Sequence, residues 1–298
     1  IEQIVEYLYS DKIDEDLQAL FIIAPKDTID RKMMARLDAY LRSGGSIFVA
    51  ASGIQTDESF SRMEPAAIGL NQWMLNKGVQ WHKAILVDAN CGEATVRKNY
   101  GDEIRQERVR FPYYPILINF KEHYLSSGIQ DLFQPYSSGL FVEIRNAYSY
   151  DTIALSSPKS NLLSIPGAIA INKNWSEKDF MGPAKLQVLG IRSNSEFNAF
   201  KMLLCSGENF YTSENNSYKI PDGNRKLILN AARWLTEASD IEELRDKSLK
   251  SRPLKSISDG HKMRIRYLNL LLPLTLLLLI GILRFLAYRS ARKKWKNL

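Results

Sequence analysis

The sequence predicts an α/β fold built on a parallel sheet, followed by one membrane-spanning helix near the C-terminus. Two segments carry that prediction. Residues 19–51 read as strand, helix and strand with short joints, and residues 268–287 form a nearly unbroken apolar run.

In the first segment, Ala19-Leu20-Phe21-Ile22-Ile23-Ala24 is continuously apolar, the pattern of a strand buried on both faces. Pro25-Lys26-Asp27-Thr28 supplies a turn and candidates for a helix N-cap. Ile29, Met33, Leu37, Tyr40 and Leu41 then recur at three-to-four spacing, the signature of an amphipathic helix. Gly44-Gly45 stops it, because glycine accepts the left-handed conformation found at helix ends. Ser46 to Ala51 is a second buried strand. Such a unit pairs its strands in parallel with a right-handed crossover.

The other elements follow by the same reasoning. Ile1 to Tyr9 is helix-like. A helix follows Pro65, with Ile68, Leu70, Trp73, Met74 and Leu75 on its apolar side and Gly78 after it. Val79 to Asp88 reads as one strand, and Ala89 to Arg110 as polar and irregular. Phe111 to Phe120, aromatic and proline-bearing, reads as a loop feeding a strand or as a packing surface. Leu140 to Ile144, Ala168 to Ile171 and Lys185 to Ile191 are strand candidates. Asn224 to Leu235 carries Leu227, Ile228, Ala231, Trp234 and Leu235 at helical spacing. The predicted division is a domain over residues 1–247, a basic linker over 248–263, a membrane helix over 264–288 and a basic tail over 289–298.

Leu268 to Ala287 spans 20 residues, about 30 Å as a helix, which matches a bilayer's hydrocarbon core. Its one charge, Arg284, lies near the end, where its stem can snorkel to the headgroups. Tyr267, Tyr288 and Trp295 stand at interfacial positions. A buried core helix is the competing reading, but six basic residues in Arg284 to Leu298 speak against it.

Charge sharpens this picture. The chain carries +7, yet Lys250 to Arg266 contributes +5 and Arg284 to Leu298 contributes +6. The remainder holds 28 basic against 32 acidic residues, so the folded body is mildly acidic. Basic flanks around an apolar helix suit a lipid bilayer with anionic headgroups, and the acidic body excludes a nucleic-acid face as partner. The short basic tail favours a cytoplasmic tail with the main domain outside.

No motif for chemistry emerges. The histidines His82, His123 and His261 show no metal-ligand spacing with each other or with cysteine. Neither a phosphate-binding Gly-x-x-x-x-Gly-Lys loop nor a Gly-x-Gly-x-x-Gly turn occurs. The sequence therefore predicts no catalytic, cofactor-binding or metal-binding residue, and no cofactor. Cys91 in Asp88-Ala-Asn-Cys91-Gly-Glu93 follows a strand as a nucleophile would, with His82 and His123 as candidate bases. Asn90 and Glu93 replace the small neighbours of such an elbow, so a loop cysteine is the default. Cys91 and Cys205 form either one bridge or two buried thiols. Asn174-Trp-Ser176 and Asn215-Asn-Ser217 match the glycosylation pattern. Tyr113 and Tyr114 either stack a sugar or partner, or pack on the domain itself.

Four segments resemble the GldG-type auxiliary subunits of bacterial ABC transporters, best known from gliding motility. They are Ile23 to Lys26 with Leu37 to Gly45; Asn119 to His123 with Ser127 to Ile129; Asp222 to Arg225 with Asn230 to Leu235; and the terminal apolar helix with Pro273, Gly281 and its basic tail. The resemblance implies a domain of the class I glutamine-amidotransferase or flavodoxin group, lying outside the cytoplasmic membrane. It implies an ABC permease and a separate ATPase subunit as partners, with an envelope protein or glycan as a further one. It also implies an N-terminal membrane helix and first strand that this sequence does not show. Ile191-Arg-Ser-Asn departs from the family's Gly-Asp-Ser-like turn. The expected function is thus a non-catalytic auxiliary subunit; a membrane-tethered hydrolase using Cys91 and a stand-alone envelope scaffold are the alternatives.

Overall fold

The fold begins where the sequence is most apolar. In the computed structural model, strands β1 (Ala19–Ile23) and β2 (Ser46–Ala50) lie parallel, in a register that sets Leu20 beside Ile47 and Ile22 beside Val49. Helix α1 (Arg31–Arg42) joins them. The structure describes residues 13, 17–25, 27–57, 61–100, 103–171, 173–195, 199–207, 221–236 and 259–295. Asp30 caps α1 by accepting a hydrogen bond from the Met33 amide at 2.7 Å. Thr28, from the turn expected to supply the cap, instead donates its hydroxyl to Ala67 O at 2.6 Å. Gly44 adopts φ +94° after the helix, and Gly45 lies so close to the Tyr40 ring that no side chain fits there.

Every residue of β2 is buried, and its alternation divides two cores. Ile47 and Val49 join Leu20, Ile22, Leu37 and Leu41 on the α1 face. Phe48 and Ala50 join Leu227, Ala231 and Trp234 from helix α3 (Asp222–Thr236) on the other. Burial of each large side chain contributes about 1.5–3 kcal/mol.

The sheet is mixed rather than parallel throughout. Its order is β1, β2, β16 (Lys201–Cys205), β15 (Leu186–Ser193), β11 (Leu140–Val142) and β5 (Val79–Trp81), with β12 (Tyr148–Leu155) on β15 and β9 (Asn119–Phe120) on β12. β16 is parallel to β2, whereas β15, β11, β5, β12 and β9 pair antiparallel. Chain length explains the switch. Only residues 194–200 join β15 to β16, too few for a parallel crossover, which takes about a dozen residues.

Other expectations change as well. The strand expected over Val79 to Asp88 breaks at His82 and Lys83, so β5 edges the main sheet while β6 (Ala84–Asp88) pairs with β13 (Ser160–Ser164) elsewhere. The stretch expected to be irregular, Ala89 to Arg110, forms a long hairpin of β7 (Cys91–Tyr100) and β8 (Glu103–Leu117). Phe111 to Leu117 continues β8, and its end pairs with β10 (Leu132–Phe133). Of the strand expected over Ala168 to Ile171, only the pair Gly167–Ala168 (β14) forms; it pairs with β4 (Arg62–Pro65), itself paired to β3 (Ile54–Thr56). The helix after Pro65 is one short segment, α2 (Leu70–Leu75). A third core gathers Ile54, Met63, Ile85, Val87, Phe111 and Tyr113 from these smaller sheets.

The chain divides into two units, Ile1–Ser251 and Arg252–Leu298. The second contains helix α4 (Asp259–Trp295), of which Met263–Phe285 is long and apolar enough to cross a membrane. Pro273 lies inside α4 without ending it. Leu271, Leu277, Ile280 and Leu283 of this stretch are all exposed, unlike the core of a soluble helix. The helix-like Ile1 to Tyr9, residues 248–258 of the linker predicted over 248–263, and the Asn215-Asn-Ser217 tripeptide lie outside the described residues, and residues 259–263 of that linker already belong to α4.

Candidate functional site

Open α/β sheets take their ligands outside the carboxyl ends of the parallel strands. That edge is here the end of β1 at Ala24, of β2 at Ser52 and of β16 at Ser206, and the chain itself fills it. Residues Gln134 to Ser138 cross the edge and are buried there with Ser52, Gln187 and Ser206. The Ser138 hydroxyl accepts from the Gly53 amide at 3.0 Å, and Gln187 receives the Ser206 hydroxyl at 2.5 Å while donating to Ser138 O at 3.1 Å. Gln134 Nε2 donates to Cys205 Sγ at 2.8 Å. Among the described residues, Ala24 at φ +46° and Tyr136 at φ +53° are the non-glycine positions with left-handed backbone, and both lie at this edge. The Gln134 Oε1 and Ser137 Oγ atoms are buried here without a partner among the described residues. Apart from those two atoms the network is satisfied, and its members are neutral, an arrangement suited to fixing backbone direction rather than to moving protons.

A latch from α3 holds the filling segment in place. Asn224 is fully buried; its Oδ1 accepts from the Phe133 amide at 2.9 Å and its Nδ2 donates to Phe133 O at 2.7 Å. The side chain thereby pairs with β10 as a neighbouring strand would. Gly223 allows the approach, since a Cβ there would strike the Asp131 carbonyl. Nearly two turns later Asn230 Nδ2 donates to Leu125 O and Ser127 O, each at 3.1 Å. His123 accepts from the Leu125 amide at 3.1 Å, caps the 3-10 turn Tyr124–Ser126, and sets its ring edge-on to Trp234 at 6.1 Å. Two of the four resemblance-bearing segments, Asn119 to Ile129 and Asp222 to Leu235, therefore meet at one structural joint.

The remaining candidates do not assemble. Cys91 is half-buried at the start of β7, where burial pushes its thiol up against the weaker downward pull of Arg110. Cys205 is fully buried and pushed up to about 12 by burial. Both thiols are free. His82 packs edge-on to Phe141 at 6.3 Å, and burial, then the charge of Lys185, lowers its pKa. Among the described residues neither His82 nor His123 hydrogen-bonds to Cys91. Asp88, buried beside Cys91, accepts from the Ser157 hydroxyl at 2.6 Å, the Ser157 amide at 2.8 Å and the Asn90 amide at 2.7 Å, which spends it on a turn. No cluster of His, Cys, Asp or Glu among the described residues is arranged to hold a metal.

Tyr113 is buried against Phe111 and Trp175, so packing on the domain accounts for it. Asn174 is exposed, but the Ser176 hydroxyl of its tripeptide is engaged with Asp179 at 2.9 Å. Sequence reasoning passed over Gln134, Ser137 and the latching role of Asn224. No spacing marks the first two, and Asn224 was visible only inside its resemblance-bearing segment.

No curated protein matches the chain in sequence. Among solved structures, the N-terminal domain of mmIFT52 is similar at 13% identity, covering 77% of this chain and 84% of its own, with a TM-score of 0.49. A ThuA-like protein from Bacteroides uniformis is similar at 12% identity, 78% and 74% coverage and a TM-score of 0.37. Its counterpart from Parabacteroides merdae shows 10% identity, 74% and 70% coverage and a TM-score of 0.38. All three TM-scores fall below 0.5, too low for these likenesses to bear on function. The model of the family described as an ABC-type uncharacterized transport system, auxiliary component, matches residues 4–221, and on that match the chain belongs to this family.

Proposed function

We propose that the chain is a non-catalytic, membrane-anchored auxiliary subunit of an ABC transport complex of the gliding-motility type. The family match over residues 4–221 carries the reading. Helix α4 anchors the chain in the bacterial cytoplasmic membrane, and the α/β domain over residues 1–247 lies outside it. Its parallel core of β1, β2 and β16 supports placing it in the amidotransferase or flavodoxin group. The domain binds a substrate or an envelope protein or glycan, while α4 docks on a permease whose ATPase is another chain. The state of the cysteines supports a role without catalysis. Cys205 is buried, and Cys91 has a raised pKa and, among the described residues, no hydrogen bond from His82 or His123.

Complementation tests this reading. A strain lacking the chain loses the transport phenotype, and the Cys91→Ser variant restores it in full. Failure of that variant at normal expression overturns the non-catalytic reading in favour of the hydrolase.

A further inference from the structure

Helix α4 runs unbroken for 37 residues, about 55 Å at 1.5 Å per residue, and so outruns a hydrocarbon core of about 30 Å. Arg264 and Arg266 stand exposed at one end of its apolar stretch and Arg284 at the other. From Arg266 to Arg284 the axial rise is about 27 Å, close to the distance between the two headgroup layers' inner boundaries. Past Arg284 the backbone stays helical to Trp295. Residues 260–298 contain no acidic side chain, so these cations have no counter-charge on their own helix beyond Asp259.

Orientation explains one end alone. The short basic tail serves as a topology signal, whereas Arg264 and Arg266 lie at the other end of the apolar stretch. Cations at both boundaries fit an attraction present on both sides of a bilayer. Arginine also presents a planar fork that matches phosphate oxygens two at a time.

We propose that α4 binds anionic phospholipid headgroups in both leaflets, through Arg264 and Arg266 at one end and through Arg284 at the other. The inference rests on α4 spanning a bilayer. Each cation near the surface contributes about 1 kcal/mol, a factor of about five in lipid retention.

The test uses the full chain in mild detergent, offered equal amounts of phosphatidylglycerol and phosphatidylcholine, with retained lipids counted by native mass spectrometry. The wild type should retain phosphatidylglycerol at least tenfold over phosphatidylcholine. R264Q/R266Q and R284Q should each remove about half of the retained anionic lipid, and R264K/R266K should keep most of it. Equal retention of the two lipids overturns the proposal, as does an R264Q/R266Q/R284Q variant that retains as much as the wild type. Displacement by soluble glycerol phosphate at the same concentration also overturns it, because the site would then need no bilayer. Carbonate extraction of native membranes separates the two layers of the claim. A chain released by carbonate defeats the spanning reading and this proposal together, whereas a resistant chain without lipid preference defeats the proposal alone.

Discussion

Asn224 shows how one side chain does two structural jobs. Its amide, itself fully buried, satisfies both backbone groups of Phe133 at 2.9 and 2.7 Å. Asn224→Ala leaves both groups unmet, and should cost about 2–4 kcal/mol, read as a lowered thermal midpoint of the full chain in detergent. Asn224→Asp keeps an acceptor for the Phe133 amide but loses the donor to its carbonyl, so it should rescue little. A thermal midpoint for Asn224→Ala equal to the wild type would remove the latch from this account. The cysteines make a second residue-level prediction. With burial holding Cys205 at about 12, iodoacetamide at pH 8 should leave it unlabelled in the native chain and label it on unfolding. His82 makes a third. Burial lowers its pKa in the folded chain, so the unfolded chain takes the proton first as pH falls below about 6.5. Stability should therefore drop from that pH downward in the wild type, and drop less in His82→Gln, as measured by thermal midpoint against pH.

Among the elements, legibility followed the agreement between local pattern and final environment. The β1–α1–β2 unit was legible because all three of its signals, apolar run, helical spacing and Gly-Gly stop, come from consecutive residues. Its joint gives a test: Gly45→Ala would force a methyl against the Tyr40 ring, whose hydroxyl is held by Leu17 O at 2.8 Å. The variant should lose about 1–3 kcal/mol by overpacking, seen as a lowered urea midpoint. The β7–β8 hairpin was illegible for the opposite reason. Glu93, Arg97, Arg108 and Arg110 are exposed on its strands, and such charge density reads as loop. Only Val96, Val109 and their buried or half-buried face reveal a strand, and that face is set by tertiary packing. The antiparallel half of the main sheet was hidden likewise, because strand direction depends on which strands become neighbours. The closed carboxyl edge lies further still from the sequence. Gln134, Ser137, Gln187 and Ser206 are scattered along the chain and converge only through the sheet order and the Asn224 latch.

For the whole molecule, charge location proved more informative than charge total. The excess of +7 belongs to the flanks of the apolar stretch in α4, and the rest of the chain is mildly acidic. A fold whose carboxyl edge is filled by its own chain, joined in sequence to a helix apolar enough to cross a membrane, fits a subunit that works by contact. The chain's membership of the ABC auxiliary family points to the same partners. Affinity purification of the full chain in mild detergent, with the co-purifying chains identified and quantified, tests this most directly. The account predicts a permease and an ATPase recovered in fixed proportion to the tagged chain. Recovery of the chain without either of them, from membranes that contain both, would contradict it.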